Sequence, residues 1–401
     1  VFKTDFYMTN KIKSQIKLGY FSHTNITISE TFIYDFIKEI SKNFDLTFYS
    51  GKKTIGDIVE KQVGLGFDEN LQRLPIIVHK LLQPTGRRGQ RLEGAIKKWF
   101  TENSLKKNVA EGDIDVAYVD YATSGVLLMD YFAKNKIPFV VHIHGYDITS
   151  TTKNSFYVLR LKRLFILCDR FIVASHHIKR LLVLLGCDLG KIEVIRHGLD
   201  ASKIVPKPWI ERIKDNPSIV FLGRLTGKKS PLSLIHAFSI VNRQMDNVVL
   251  KIIGDGPLLA ETKSLGDNLG LGDKITFYGA LPRKQSFPIL NESWIYAQHS
   301  VTSLHGDQEG YAISPAEAAL HELPVISTIH NGIPEHVIDG TTGFLVPEFN
   351  FELMAEKIIE LLKNPKVAEN MGKEGRKNIV KLNNMNRRVS RISDILSDLT
   401  V

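Results

Sequence analysis

Two carboxylates, Glu309 and Glu317, stand eight positions apart in H-G-D-Q-E-G-Y-A-I-S-P-A-E-A-A-L, residues 305–320. Carboxylates at the mouth of a helix can accept paired hydroxyls, as an acid does with a ribose diol in nucleotide-binding folds. Ser314, Pro315 and Glu317 have the spacing of a capping box, with Ser314 as N-cap, so Glu317 also has an ordinary structural explanation. Glu309 precedes Gly310 in a loop with no helix to cap, and reads either as a sugar-hydroxyl site or as an ordinary solvated carboxylate.

A second group is cationic. In F-L-G-R-L-T-G-K-K-S-P-L, residues 221–232, Gly223 ends a strand and Arg224 follows at its tip. Lys229 precedes a helix opened by Ser230 and Pro231, the residue types that start helices. A strand tip, two cations and a helix N-terminus suit a diphosphate, since Arg binds oxygens bidentately and Lys supplies a point charge. The alternative is a solvated basic turn. His144 lies at the tip of P-F-V-V-H-I-H, as a ligand contact or as a hydrogen-bonded structural residue.

Several chemistries lack their signatures. The Walker A spacing is absent, no G-x-S-x-G provides a hydrolase elbow, and no G-x-G-x-x-G follows an early strand. No Cys/His cluster has metal-ligand spacing.

These groups need strands and helices to hold them. Apolar runs at 16–22, 45–50, 115–119, 138–144, 170–175 and 191–195 alternate with helical patterns such as 29–40, where Ser29 is the expected N-cap. The pattern lapses around 200–216, where Pro206, Pro208 and the following Pro217 suggest a linker or hinge. It then resumes with S-I-V-F-L, V-V-L-K-I-I, K-I-T-F-Y-G, S-W-I-Y-A-Q, P-V-I-S-T and G-F-L-V-P. The fold class is therefore α/β, with two Rossmann-like, doubly wound domains facing across a cleft. The expected domains are residues 1–205 and 206–380, with a C-terminal helix at 381–401 crossing back to the first domain. A chain of 401 residues exceeds what one core usually supports.

The net charge of +9 lies wholly in residues 1–205, which hold 30 basic and 21 acidic residues, while residues 206–401 hold 22 of each. Residues 87–107 carry seven basic residues against two acidic ones, with Trp99 and Phe100 between. Such a stretch can dock on anionic lipid headgroups or on an acidic ligand, or be a solvated helix face. No nucleic-acid motif accompanies the charge. No apolar run spans a bilayer, the first residues lack a signal-peptide pattern, and two cysteines suit a reducing compartment.

In order and spacing, G-R-L-T-G-K-K-S, I-I-G-D-G-P-L, I-T-F-Y-G and the run E-G-Y-A-I-S-P-A-E-A-A-L through G-F-L-V-P resemble the retaining glycosyltransferases of family 4, with the GT-B fold. So does C-D-R-F-I-V-A-S with K-I-E-V-I-R-H-G-L-D, and the stretch covered is most of residues 165–380. S-E-T-F-I after the first strand resembles the branch that builds bacterial exopolysaccharides and surface glycans. The resemblance implies that Arg224 and Lys229 hold the donor diphosphate, that Glu309 meets the donor sugar and that Glu317 takes the ribose hydroxyls. It implies that backbone amides of Gly310, Tyr311 and Ala312 lie against sugar and phosphate, and that His144 contacts the transferred sugar.

The resemblance further implies a metal-independent, retaining hexosyltransferase whose co-substrate is a UDP- or GDP-linked sugar, with no other cofactor. The expected acceptor is a glycan or a lipid-linked glycan. The expected location is cytoplasmic, with the basic first domain at the inner face of the plasma membrane. A nucleotide-sugar epimerase of the same fold and a non-catalytic sugar-binding protein are the alternatives. Three departures stand out: 22–29 lacks the family's paired glycines, Ala312 replaces a glycine, and A-E-A-A replaces L-E-A-M.

Overall fold

The computed structural model describes residues 16–22, 31–51, 59–65, 95, 96, 99 and 102–401. The expected Ser29 cap, the loop from 23 to 29 and most of the basic run 87–107 lie outside these residues; Trp99 is described and exposed. By contacts the chain forms two compact units. One runs to Ile195 and takes in Asn386–Val401, and the other is Arg196–Met385.

The first unit contains β1 (Lys17–Ser22), α1 (Thr31–Ile40), β2 (Asp45–Ser50), β3 (Lys61–Gly64), β4 (Val116–Asp120), α2 (Ala122–Lys134), β5 (Phe139–Ile143), α3 (Ser155–Leu167), β6 (Arg170–Val173), α4 (His176–Leu184) and β7 (Ile192–Val194). Its seven strands run in the order β3-β2-β1-β4-β5-β6-β7, and every pairing is parallel. Strands buried on both faces read as near-continuous apolar runs, which is why β4 and β5 are buried at every position. Helix α1 buries Ile33, Phe36, Ile37 and Ile40, the spacing that puts one stripe on the sheet.

The second unit contains α5 (Trp209–Arg212), β8 (Ser218–Leu222), α6 (Pro231–Gln244), β9 (Val249–Ile253), α7 (Leu259–Asn268), β10 (Ile275–Gly279), α8 (Arg283–Asn291), β11 (Ile295–Ala297), α9 (Ile313–Leu320), β12 (Val325–Thr328), β13 (Gly343–Val346), α10 (Phe351–Lys363) and α11 (Pro365–Leu382). Its sheet order is β10-β9-β8-β11-β12-β13, again parallel. Alternation along β8 feeds two cores: Ile219 and Phe221 join one cluster, and Val220 joins another. In each unit the order reverses once, between β1 and β4 and between β8 and β11. That switch point is where ligands settle in such sheets, at the carboxyl ends of the strands.

The stretch expected to be a linker, 200–216, is packed instead. Ile204, Trp209 and Arg212 are buried, and the Arg212 guanidinium donates to the carbonyls of Lys207 and Ser293. Prolines had hidden an apolar anchor. Helix α12 (Met385–Asp398) lies almost wholly in the first unit, where Arg388 donates to the Ile195 carbonyl and Arg391 to that of Val194.

Candidate functional site

Two loops of the second unit approach each other through backbone alone. The Gly223 amide donates to Ile253 O, and the Leu225 amide to Asp255 O. A Cβ on Gly254, whose φ is +147°, would sit 1.9 Å from Gly223 O, and one on Gly256 would sit 2.5 Å from Leu225 O. Only glycine fits there. The G-D-G turn after β9 therefore braces the G-R-L turn after β8, and Arg224 projects from that braced turn. Its guanidinium is exposed and makes no salt bridge with any described residue.

Three residues after the Leu225–Thr226 turn, Lys229 ends a short 3-10 turn and turns inward. Its Nζ lies 3.2 Å from Glu309 Oε1 and donates to Gln298 Oε1 at 3.2 Å. Gln298 Oε1 also accepts from Tyr296 OH and Ser314 Oγ, so a buried polar cluster fixes the lysine from below. Burial pushes the Glu309 carboxyl up, but Lys229 and Lys228 outweigh it and hold it below the usual value. Burial lowers Lys229, while Glu309 pulls it back up. An ionised pair results. Lys228 pairs with Asp307 at 3.3 Å, so the loop carrying Glu309 is held by two lysines.

Helix α6 begins at Pro231 as expected, but Ser230 is left-handed (φ 40°), and its hydroxyl bonds Ser233 Oγ rather than capping. At α9 the capping-box expectation is corrected. The N-cap position is Ala312, with φ 56°, and Ser314 lies inside the first turn. The Ser314 hydroxyl is engaged by Tyr296 and Gln298, which removes it from any cap. Glu317 instead accepts from Arg283, Nε at 3.0 Å and Nη2 at 2.7 Å, both to Oε1. Neither helix has an acidic residue in its first turn or a side-chain cap. Such N-termini attract anions.

Gly310, Tyr311 and Ala312 are buried between the two glutamates. The Tyr311 hydroxyl donates to Asn383 Oδ1 at 2.7 Å, and its ring lies 4.6 Å from that of His336. The tyrosine thus serves packing, and only its main chain remains for a ligand.

His144 belongs to the first unit, one residue past β5. Its Nε2 lies 3.0 Å from Asp120 Oδ1, and its ring lies 4.3 Å from that of Tyr121. Asp120, wholly buried, also accepts from the Tyr20 hydroxyl and lies 3.4 Å from His142 Nδ1. Burial, with His144 and Arg388 beside it, drives His142 well below the ordinary value, so it stays neutral. The Arg388 guanidinium, from α12, sits 4.5 Å above the Phe36 ring.

Sequence reasoning singled out Lys229, Glu309, Glu317 and His144 and missed the residues that hold them: Gln298 on Lys229, His330 with Glu348 on the Glu309 peptide, Arg283 on Glu317 and Asp120 on His144. Asp120 had one available signal, a carboxylate closing an otherwise apolar strand. The others are partners from distant loops, with no spacing that marks them.

The fold is recognisable among solved structures. Anabaena HepE in complex with UDP and glucose aligns with a TM-score of 0.75 over 96% of this chain and 100% of that one, at 16% identity. Two parallel Rossmann-like units of this order define the GT-B class. A model of group 1 glycosyl transferases matches residues 207–378, and a model of glycosyltransferase family 4 matches residues 29–203. The chain belongs to the glycosyltransferases of this group 1, family 4 type. Among curated relatives, a putative colanic acid biosynthesis glycosyltransferase, WcaL of Escherichia coli K12, is 30% identical over 54% of this chain. That match spans 53% of the relative, about half its length. The amylovoran biosynthesis glycosyltransferase AmsK of Erwinia amylovora is 28% identical over 72% of each chain.

Proposed function

We propose that this chain transfers a hexosyl group from a UDP- or GDP-linked sugar to an acceptor hydroxyl, with retention, in surface-polysaccharide or lipid-linked glycan synthesis. The observation that carries the reading is the buried Lys229–Glu309 pair, 3.2 Å apart, beside the exposed Arg224 at the carboxyl end of β8. Arg224 and Lys229 take the donor diphosphate and stabilise the charge that develops as it leaves. Glu309 and the main chain of Gly310, Tyr311 and Ala312 take the donor sugar, and Glu317 takes the ribose diol. His144 contacts the transferred sugar, a role that rests on the resemblance. The relatives' names, in colanic acid and amylovoran synthesis, support the glycan class of product, and the HepE complex supports a UDP-sugar.

In the retaining step the acceptor oxygen attacks the anomeric carbon from the face the nucleotide leaves. The departing diphosphate oxygen takes the acceptor's proton. The buried Lys229, the exposed Arg224 and two helix N-termini without side-chain caps neutralise that oxygen, and the reaction runs without a metal. Purified protein with a panel of nucleotide-sugars and a lipid-linked glycan acceptor tests the reading. Transfer of an α-sugar from an α-linked donor, undiminished by EDTA, is expected. An isomerised free nucleotide-sugar would mark an epimerase, an inverted product would end the retaining assignment, and loss on chelation would end the metal-independent one.

A cytoplasmic, membrane-peripheral form is part of this proposal. No helix among the described residues is long and apolar enough to cross a membrane. Leu159 and Ile166 on α3 are exposed with Lys162 and Arg163 on the same face, and Leu184 on α4 is exposed with Arg180. Apolar anchors among cations suit anionic lipid. Flotation with phosphatidylglycerol vesicles, lost on Ile166→Asp, is expected; no flotation at low salt would remove this part.

A further inference from the structure

Three loops leave adjacent strands β11, β12 and β13, and one imidazole ties them together. His330, two residues past β12, is completely buried. Its Nδ1 lies 2.6 Å from Glu348 Oε1, two residues past β13. Its Nε2 lies 3.2 Å from the Glu309 amide nitrogen, in the loop after β11. The other Glu348 oxygen, Oε2, accepts from the Thr302 amide at 2.8 Å. Asn331 Nδ2 approaches the same Nε2 at 2.8 Å and donates to Gln308 Oε1 at 3.3 Å.

These contacts fix the tautomer. A backbone amide can only donate, so Nε2 must present its lone pair to Glu309. The proton then sits on Nδ1, where the Glu348 carboxylate accepts it. Glu348 sets the ring, and the ring sets the peptide on which Glu309 is mounted.

We propose that His330 is a positioning residue, oriented by Glu348, whose Nε2 holds the Glu309 peptide so that the Glu309 carboxylate and the following amides meet the donor sugar. This rests on the transferase reading of Glu309. Lys229 holds the carboxylate end of that side chain, and His330 holds its main-chain end. A carboxylate gripped at both ends cannot swing with the loop, which is what a reaction sensitive to 1 Å of misplacement requires.

Two substitutions separate the two ring nitrogens. His330→Asn keeps a donor where Nδ1 was and loses the acceptor for Glu309. His330→Gln reaches the Nε2 position and offers that acceptor again. Hydrogen–deuterium exchange across residues 305–312 is expected to quicken about tenfold in the Asn variant and to stay near wild type in the Gln variant. In the transfer assay, kcat is expected to fall about tenfold or more with Asn while donor KM moves less, and Gln is expected to recover most of it. Equal exchange in the two variants overturns the proposal, and so does an Asn variant with wild-type kcat. If the wild type transfers sugar from no nucleotide-sugar, the transferase reading fails, and the exchange comparison still decides whether His330 holds the Glu309 peptide.

Discussion

Lys229 Nζ and Glu309 Oε1 are 3.2 Å apart, with about nine-tenths of each side chain shielded from water. The carboxylate is held ionised because two lysines face it and outweigh its desolvation, and it in turn pulls the Lys229 ammonium back up against burial. Removing one charge from such a pair strands the other. Lys229→Met and Glu309→Gln are each expected to lower kcat/KM for the donor by about 10²–10³. Urea unfolding should show Lys229→Met destabilised by about 3 kcal/mol, with the double variant recovering most of it, because no uncompensated charge is left. Wild-type activity in either single variant would remove the pair from the site.

Glu317 is mounted differently, on the first turns of α9, with Arg283 donating to it twice. If it receives the ribose diol, its loss weakens donor binding more than it slows the chemical step. Glu317→Ala should raise donor KM about tenfold with a smaller change in kcat. The variant should also lose discrimination between the ribose and 2′-deoxyribose forms of the donor. Retained discrimination would assign Glu317 to packing against Arg283 alone.

Much of this arrangement was legible because parallel strands advertise themselves. The runs at 218–222, 249–253 and 325–328 are β-branched or apolar except at Ser218, Lys251 and Ser327, since both faces are largely covered. β3 was not anticipated: K-Q-V-G lies at the sheet edge, with no buried residue to give it a pattern. The S-P-A-E signal misled by two residues, because Ala312 adopts a left-handed turn and Tyr296 claims the Ser314 hydroxyl, neither of which spacing records. His330 and Asp120 escaped for a related reason. Each acts through a partner 18 or more positions away, and a single sequence carries no trace of such pairing.

Asp120 offers a test within the first unit. Its carboxylate accepts from Tyr20 and His144 with no exposure to solvent, so it sets the direction of the His144 ring. Asp120→Asn replaces one acceptor oxygen by a donor and leaves one of those groups unpaired. A loss of about 2 kcal/mol in stability is expected, with a fall in kcat that does not add to that of His144→Ala. Additive effects in the double variant would show that the two residues act separately.

The second unit also carries a pH dependence in its buried histidines. Burial pushes His321 down to about 3, helped by Arg212 and Arg376, and burial pushes His336 down to about 3 against the Gly332 carbonyl. Both are therefore neutral when folded, whereas the unfolded chain protonates them near the ordinary value of 6.5. Between those values the unfolded state binds more protons, so stability is complete above pH 6.5 and drains away as pH falls toward 3. At pH 5.5 each histidine should have cost about 1.4 kcal/mol relative to pH 7.5. Each Nδ1 already has an oxygen partner, Asn291 for His321 and the Gly332 carbonyl for His336, which an asparagine amide can satisfy. The His321→Asn, His336→Asn variant is thus expected to unfold at a lower urea concentration at pH 7.5, yet with a flatter loss between pH 7.5 and 5.5. An unchanged slope would place the acid sensitivity in other groups.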